Sequence, residues 1–298
     1  MTTIDASSVN LRKVLQDGQD HLDQAHREAE LKLRGAYRAG SGGCKSGDTV
    51  LGDCHRVAYA RWLGYDKPIE PNRKLMFAGG EANEDLWRNV VVPGWQGHVL
   101  RGERVRRDYD WGTVVGTTDL VLADAEGSWD TIIELKAVCS TNTAIYRHLA
   151  GEPDLKHVVQ SAVYMWLTKK PVVLCYTSRS DFAVEFARKK WGVTKVEPFH
   201  RLFYLSVIGG VVHYRDEYEV RTVPTAVTLS GIEDYYKMLA AMPATRDLGP
   251  RPSNDNIHGE TAAWDRCDTK YCPFSEACDR YETDHDTWTD AVRNVCTY

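Results

Sequence analysis

Hydrophobic and polar positions follow two different periods along this chain. From about residue 8 to residue 38, apolar residues recur every three or four positions among many charged ones, which predicts an amphipathic helix. The same spacing predicts further helices over residues 53–63, 75–89, 153–169 and 229–242. The segment Gly40-Ser41-Gly42-Gly43 follows the first helix and indicates a flexible joint.

The middle of the chain has the character of β-strands. Apolar and β-branched stretches bounded by turn residues predict strands over residues 112–122, 129–137, 171–176, 202–208 and 211–218. Gly209-Gly210 lies between the last two strands and predicts a hairpin. Because helices, strands and helices follow one another in this order, we expect an α/β core with helical decoration.

Composition narrows the class of protein. With 298 residues, of which 43% are hydrophobic, the chain is long and apolar enough to form one large or two small packed domains. It has no run of eighteen apolar residues and no signal peptide at its polar N-terminus, so we expect a cytoplasmic protein with no membrane partner. The net charge of −5 argues against broad, non-specific coating of nucleic acid, although it allows a local basic groove.

Cysteine spacing indicates a metal centre. Cys267, Cys272 and Cys278 lie close together near the C-terminus. In a reducing compartment, thiolates at such spacing are typical of zinc or iron–sulfur sites, which take four ligands. Cys54 and Cys44 are the candidates for the fourth ligand. The residues alone do not distinguish zinc from iron–sulfur.

Two charged residues interrupt an apolar strand in the centre of the chain. Glu134 and Lys136 are two positions apart, so their side chains share one face of the strand. A hairpin brings Asp119 opposite that face, and the carbonyl group of Leu135 lies between the two side chains. Carboxylate and carbonyl oxygens suit Mg²⁺ or Mn²⁺, and a lysine beside them can orient an attacking water molecule. The pattern therefore predicts a hydrolytic site for phosphodiesters with Asp119, Glu134 and Lys136 as catalytic residues.

These segments, taken in order, resemble a known nuclease signature. Gly116-Thr-Thr-Asp119, Glu134-Leu-Lys136 and Gln160-Ser-Ala-Val-Tyr164 are similar to the motifs of the PD-(D/E)XK nuclease superfamily, and the last is typical of its RecB-like branch. Cys54-His-Arg-Val-Ala-Tyr59 resembles a segment of the iron–sulfur exonucleases in that branch, which include CRISPR-associated exonucleases. The resemblance covers about residues 50 to 280.

The resemblance implies a fold and an activity. It implies a restriction-endonuclease-like core, with a central mixed β-sheet flanked by helices and a C-terminal metal-cluster segment. The helical N-terminus, which the hydrophobic pattern predicts, lies outside the resemblance. It implies a [4Fe–4S] cluster on Cys54, Cys267, Cys272 and Cys278, with structural Zn²⁺ as the alternative. The activity would be Mg²⁺- or Mn²⁺-dependent DNA exonuclease cleavage from single-stranded ends, in recombination, repair or phage DNA processing. Gln160 and Tyr164 share a helix face and would contact the DNA.

The chain departs from the family pattern at two places. The spacing Cys267-x4-Cys272 is longer than the usual Cys-x2-Cys. The branch usually carries a metal-binding histidine on an early helix, which is absent here, and Gly80-x3-Glu84 instead resembles the glutamate-bearing helix of phage recombination exonucleases. We therefore assign the third metal-ligand role to Glu84, with Asn83 and Glu81 as alternatives.

Two domains follow from this interpretation: a helical extension over residues 1–43 and a nuclease domain over residues 44–298. A recombination, replication or CRISPR-adaptation protein is the expected partner besides DNA. The alternative function is a catalytically silent DNA-binding or partner-docking module with the nuclease fold. Retention of Asp119, Glu134 and Lys136 together argues against that alternative.

Overall fold

The structure is a computed structural model that describes residues 35–47, 49–65, 71–91, 98–102, 104–123, 129–137, 151–177, 200–249, 272, 274–281 and 284–296. The described chain is mixed α/β, as predicted. Its strands are β1 (Tyr37–Arg38), β2 (Gly43–Ser46), β3 (Thr49–Gly52), β4 (His98–Arg101), β5 (Arg104–Tyr109), β6 (Gly112–Thr117), β7 (Leu120–Ala123), β8 (Trp129–Ala137), β9 (Val172–Thr177), β10 (His200–Ile208), β11 (Val211–Asp216) and β12 (Val223–Thr228). Its helices are α1 (His55–Trp62), α2 (Pro71–Leu86), α3 (Leu155–Thr168), α4 (Leu229–Thr245), α5 (Ser275–Arg280) and α6 (His285–Cys296). None of the helices within these ranges is both long and apolar enough to cross a membrane.

A mixed sheet of seven described strands forms the centre, in the order β12-β11-β10-β9-β8-β7-β4. Strands β8 and β9 are parallel, with Glu134 beside Leu174, and the other neighbours are antiparallel. A parallel pair needs a crossover connection, and α3 lies within the connection between β8 and β9. The prediction of a central mixed sheet flanked by helices is confirmed.

The strand predicted over residues 112–122 is in fact two strands in two sheets. Strand β6 belongs to a smaller sheet of order β1-β6-β5, whereas β7 belongs to the seven-stranded sheet. The chain bends between them at Thr118 and Asp119. Gly102 lies against this bend, because a Cβ atom there would be 1.7 Å from the Thr118 carbonyl oxygen. The bend gives Asp119 its position at the end of the central sheet.

Helix α3 packs between the sheets. Asp154 caps its N-terminus by accepting a hydrogen bond from the Lys156 amide, and Lys169 ends it in the left-handed conformation. Its buried residues surround the helix rather than forming one stripe, as expected of a helix covered on several sides; they are Val158, Val159, Ser161, Ala162, Val163, Tyr164, Met165, Trp166 and Leu167.

The segment Gly40–Gly43 differs from the predicted flexible joint. Tyr37–Arg38 pairs with β6, Ala39–Ser41 is a 3₁₀ turn, and Gly43 begins β2. Gly42 and Gly43 are buried, with Val163 and Tyr235 so close that a Cβ atom would clash. Residues 1–34, which contain most of the predicted N-terminal helix, lie outside the described residues, and the domain boundary at residue 43 stays a prediction.

Candidate active site

The bend before β7 places Asp119 at the edge of β8. The pairing of β7 with β8 reaches Leu120 and Ile133, so the next residues along each strand, Asp119 and Glu134, follow in register. The amide of Leu135 donates a hydrogen bond of 2.7 Å to Asp119 Oδ2. In an extended strand the N–H and C=O groups of one residue point to the same side. The Leu135 carbonyl group therefore faces the side on which Asp119 lies.

Glu134 is buried and Lys136 is partly buried next to it, on the same side of β8. Lys136 Nζ lies 2.5 Å from Glu134 Oε1, and Glu134 is 1% exposed. The second carboxylate oxygen of Glu134, Oε2, is buried and has no hydrogen-bond partner among the described residues. An orphaned buried carboxylate oxygen is costly for a folded protein and would be satisfied by a cation.

The ionisation of these groups is mutually dependent. Burial raises the pKa of Glu134 to about 7, and the charges of Asp119 and Glu84 add to this, while Lys136 opposes it. Burial also raises the pKa of Asp119, against the lowering effects of Lys136, the Leu135 amide and Arg88. Burial alone would lower the pKa of Lys136, but the neighbouring carboxylates raise it overall. Three carboxylates around one ammonium group carry an excess of negative charge, which a divalent cation would offset.

Helix α2 brings Glu84 towards this group. Glu84 is half-buried, and burial followed by the charge of Asp119 raises its pKa. Arg88 Nη2 donates to Glu84 Oε2 at 2.8 Å. Of the alternatives, Asn83 is buried and accepts a hydrogen bond from Thr177 at 3.2 Å, and Glu81 is exposed. Glu84 is thus the residue of this segment whose carboxylate interacts with both Asp119 and Lys136.

The carboxylate oxygens of Glu84, Asp119 and Glu134 are the ligands that a hard divalent cation prefers, although the three groups do not meet at one point. Among the residues that the structure describes, no three His, Cys, Asp or Glu side chains are close enough together to hold a metal ion. Glu134 is engaged by Lys136 and Glu84 by Arg88. Glu84, Asp119 and Glu134 would have to move closer together to share one cation.

Tyr164 holds the end of β6, just before the bend, through a hydrogen bond. Its hydroxyl group donates to the Thr117 carbonyl oxygen at 2.6 Å, and the residue is only 2% exposed. Its pKa is raised well above the usual range by burial and by the charges of Glu134 and Asp119, while a hydrogen bond with Gln160 opposes this. Tyr164 contributes to the lining of a cavity, and its predicted contact with DNA stays a prediction. Gln160 is partly exposed, and its contact with DNA stays a prediction.

Gly116 packs closely against two neighbouring side chains. A Cβ atom at Gly116 would lie 2.7 Å from Ala39 Cβ and 2.8 Å from Tyr164 Cε1. Glycine is needed at this position for packing against Ala39 and Tyr164. Close approach of a ligand to Gly116 stays a prediction. A cavity of about 340 Å³ lies beside these residues, and its lining includes Arg38 and Arg104.

Cys54 lies near Cys272 and Cys278, which are distant from it in sequence, but these three described cysteines are not close enough together to hold a metal ion. Cys54 precedes α1, Cys278 lies in α5, and Cys272 lies just before that helix. Burial raises the pKa of Cys54 to about 12; the backbone N–H groups of Val57 and Arg56 lower it, and nearby Cys278 and Cys272 raise it. Cys267, the remaining predicted ligand, lies outside the described residues. The metal-binding role of all four stays a prediction.

The competing candidate, Cys44, lies elsewhere. It is fully buried in β2, with its sulfur 3.6 Å from the Thr228 carbonyl oxygen. Burial raises the pKa of Cys44, and Asp234 is the charged neighbour that adds to the shift. The environment of Cys44 is thus that of a small core residue at the β2–α4 contact.

Two residues that contact the candidate carboxylates and cysteines were not predicted from the sequence. Arg88 joins Glu84 to the Asp119 backbone, and its i, i+4 spacing from Glu84 was the available signal. The indole N–H of Trp288 donates to Cys278 Sγ at 3.3 Å, a contact between α6 and α5 for which the sequence carries no signal.

Comparison with known proteins yields only distant likeness. No protein-family model matches the chain, and no curated protein matches it significantly. Among solved structures, an alkaline exonuclease (LHK-Exo) from Laribacter hongkongensis is 13% identical, with a TM-score of 0.37 over 73% of this chain and 91% of that one. The protein SSO0001 is also 13% identical, with a TM-score of 0.41 over 91% of this chain and 96% of that one. Likeness at this level carries no argument about the activity of the chain.

Proposed function

We propose that this chain is a metal-dependent deoxyribonuclease of the PD-(D/E)XK type, acting as an exonuclease on single-stranded DNA ends. The observation that carries the proposal is the hydrogen bond from the Leu135 amide to Asp119, which holds Asp119 next to the buried Glu134–Lys136 pair. This arrangement joins the bend before β7 to the middle of the sheet. It supports the nuclease more strongly than a surface ion pair would, because the burial of Glu134 and the partial burial of Asp119 and Lys136 have a cost that function must offset.

Each residue has a role in the proposed reaction. Asp119, Glu134, Glu84 and the Leu135 carbonyl group would hold Mg²⁺ or Mn²⁺. When bound, this cation supplies Lewis-acid polarisation of the phosphoryl oxygen and lowers the pKa of the attacking water. Lys136, whose pKa is raised, stays protonated and can orient that water and offset the negative charge on the phosphoryl oxygens in the transition state.

The surroundings of the site support a polyanionic substrate. The cavity beside Tyr164 is lined by Arg38 and Arg104, which would attract phosphate groups of a DNA strand. The chain as a whole has a net charge of −5, so attraction would be local to such basic regions. Preference for single-stranded ends, a role in recombination, repair or phage DNA processing, and a recombination, replication or CRISPR-adaptation partner rest on the family resemblance.

The cysteine group would have a structural role in this protein. We infer a [4Fe–4S] cluster on Cys54, Cys267, Cys272 and Cys278, with structural Zn²⁺ as the alternative. The electrostatic influence of Cys272 and Cys278 on Cys54 supports this inference, because it brings thiol groups from two distant parts of the sequence into one region. The three described cysteines would have to move closer together to share a metal. The metal would join the helix after Cys54 to the C-terminal segment.

Cleavage of end-labelled DNA tests the enzymatic proposal. Wild-type protein and the Glu134→Ala variant are incubated with single- or double-stranded oligonucleotides in Mn²⁺, Mg²⁺ or EDTA. We expect metal-dependent loss of nucleotides from one end of single-stranded DNA, absent in the variant. Equal cleavage by the variant, or no cleavage by folded wild-type protein in either metal, would contradict the proposal.

One observation favours the silent binding module as a second candidate. Within the described ranges no three potential ligands are close enough together to hold a metal ion, and Glu84 and Glu134 are each engaged by a cationic side chain. Such a module would bind labelled single-stranded DNA without degrading it, and with equal affinity in Mn²⁺ and in EDTA. Cleavage of the DNA, or tighter binding by the wild-type protein in Mn²⁺ than in EDTA, would exclude it.

A further inference from the structure

Arg88 connects two elements that each carry a candidate metal ligand. Its Nη2 atom donates to Glu84 Oε2 at 2.8 Å and to the Asp119 carbonyl oxygen at 3.1 Å. Its Nε atom lies 3.4 Å from the same carbonyl oxygen, and Nη1 lies 3.6 Å from Asp85 Oδ1. One guanidinium group therefore spans the gap between helix α2 and the bend before β7.

The position of Arg88 follows from the end of the helix. Helix α2 passes into a π turn over Trp87–Val91, a wider turn that is often found at functional sites. Trp87 packs against a buried apolar cluster formed by Leu120, Leu135 and Cys175. The side chain of Leu135 is on the opposite face of β8 from that of Glu134. This apolar contact fixes the turn against the sheet and places the next residue, Arg88, beside Asp119.

We propose that Arg88 is a positioning residue, which holds the Glu84 carboxylate beside Asp119 so that both can bind the same divalent cation. This inference rests on the proposed function. The guanidinium side chain is 22% exposed and that of Glu84 is 27% exposed, so the pair is partly shielded from water. A planar guanidinium group that is fixed by a backbone carbonyl oxygen also sets the direction of the carboxylate, which a lysine cannot do as well.

Arg88 has two effects on the affinity for a divalent cation, and they have opposite signs. A measurement of that affinity can therefore distinguish them. As a positive charge, Arg88 repels a divalent cation, so its removal by charge alone would tighten metal binding. As a positioning residue, it prepares Glu84 for binding, so its removal would weaken metal binding. Partners of metal ligands typically contribute roughly 10- to 100-fold in affinity.

Mn²⁺ binding, measured by the electron paramagnetic resonance signal of free Mn²⁺, distinguishes charge repulsion by Arg88 from positioning of Glu84. We expect Arg88→Ala to weaken Mn²⁺ binding by roughly tenfold or more, and Arg88→Lys to recover only part of the loss. The matched control is Arg293→Ala, which removes an arginine from an i, i+3 pair with Asp290 on helix α6 and should bind Mn²⁺ as the wild type does. Thermal unfolding of each variant verifies that it is folded.

A double-mutant cycle adds the specific link to Glu84. If Arg88 acts through Glu84, the Glu84→Gln and Arg88→Ala effects on the Mn²⁺ dissociation constant will be far from additive. Unchanged or tighter Mn²⁺ binding by Arg88→Ala, additive effects, or no Mn²⁺ binding by wild-type protein would each overturn the inference. Because this measurement uses no DNA, weakened Mn²⁺ binding in a protein that cleaves nothing would uphold the inference while refuting the nuclease.

Discussion

Replacement of Gly102 by alanine would test whether the bend at Thr118 and Asp119 builds the active site. A Cβ atom at this position would lie 1.7 Å from the Thr118 carbonyl oxygen and 3.1 Å from that of Asp119. Both obstacles are backbone atoms, so no side-chain rotation relieves the overlap. The two chain segments must separate by over an ångström, and Asp119 moves with them.

The size of the effect follows from this displacement. Overpacking in a closely packed region costs about 1–3 kcal/mol, and contact with backbone favours the upper end. A misplacement of about 1 Å at a catalytic group can reduce the rate by about 10²-fold. We therefore expect Gly102→Ala to be folded, with a melting temperature lowered by several degrees, and to cleave DNA about a hundredfold more slowly than the wild type.

The assay combines thermal unfolding with the cleavage of end-labelled single-stranded DNA at saturating Mn²⁺. Gly79→Ala is the matched control, because a Cβ atom at this exposed position of helix α2 would meet no atom within 4 Å. Since alanine favours helix by about 1 kcal/mol over glycine, that variant should be slightly more stable and fully active. Wild-type stability and activity in Gly102→Ala would refute the reasoning about the bend.

Three further predictions follow from the other contacts. Because the folded-state pKa of Glu134 is raised to about 7, the protonated carboxyl group stabilises the metal-free fold at low pH, and this contribution is lost as pH rises through about 7. The melting temperature of Glu134→Gln in EDTA should therefore rise relative to that of the wild type between pH 5 and pH 8. An equal dependence of the two melting temperatures on pH would contradict this. Cys54→Ser should lose its bound metal, measured by elemental analysis of anaerobically purified protein, whereas Cys44→Ser should retain it; the reverse result would reassign the fourth ligand. Tyr164→Phe leaves the Thr117 carbonyl oxygen without its donor and should lower the free energy of unfolding by about 1–3 kcal/mol in urea titrations, while an unchanged midpoint would remove Tyr164 as a support of the bend.

Local sequence patterns predicted those elements whose stability comes from apolar burial. Helix α3 and strands β8 and β9 are apolar enough to be visible in the sequence, and the structure has them within one or two residues of the predicted limits. Strand β5, Arg-Val-Arg-Arg-Asp-Tyr, was missed because only Val105 is buried and pairing with β6 holds the strand in place. A strand stabilised by partners rather than by its own pattern gives no local signal.

The sequence by itself determined that Glu134 and Lys136 share one face, because side chains in a strand alternate with a period of two. It also identified Asp119 and the cysteine-rich segment as candidates for chemistry. Only the tertiary structure decided that the chain bends before Asp119 and that the Leu135 amide holds its carboxylate. The same is true of Arg88, which joins Glu84 to the Asp119 backbone. These contacts bridge elements that are far apart along the chain, and their geometry depends on how sheets and helices pack, which local periodicity does not encode.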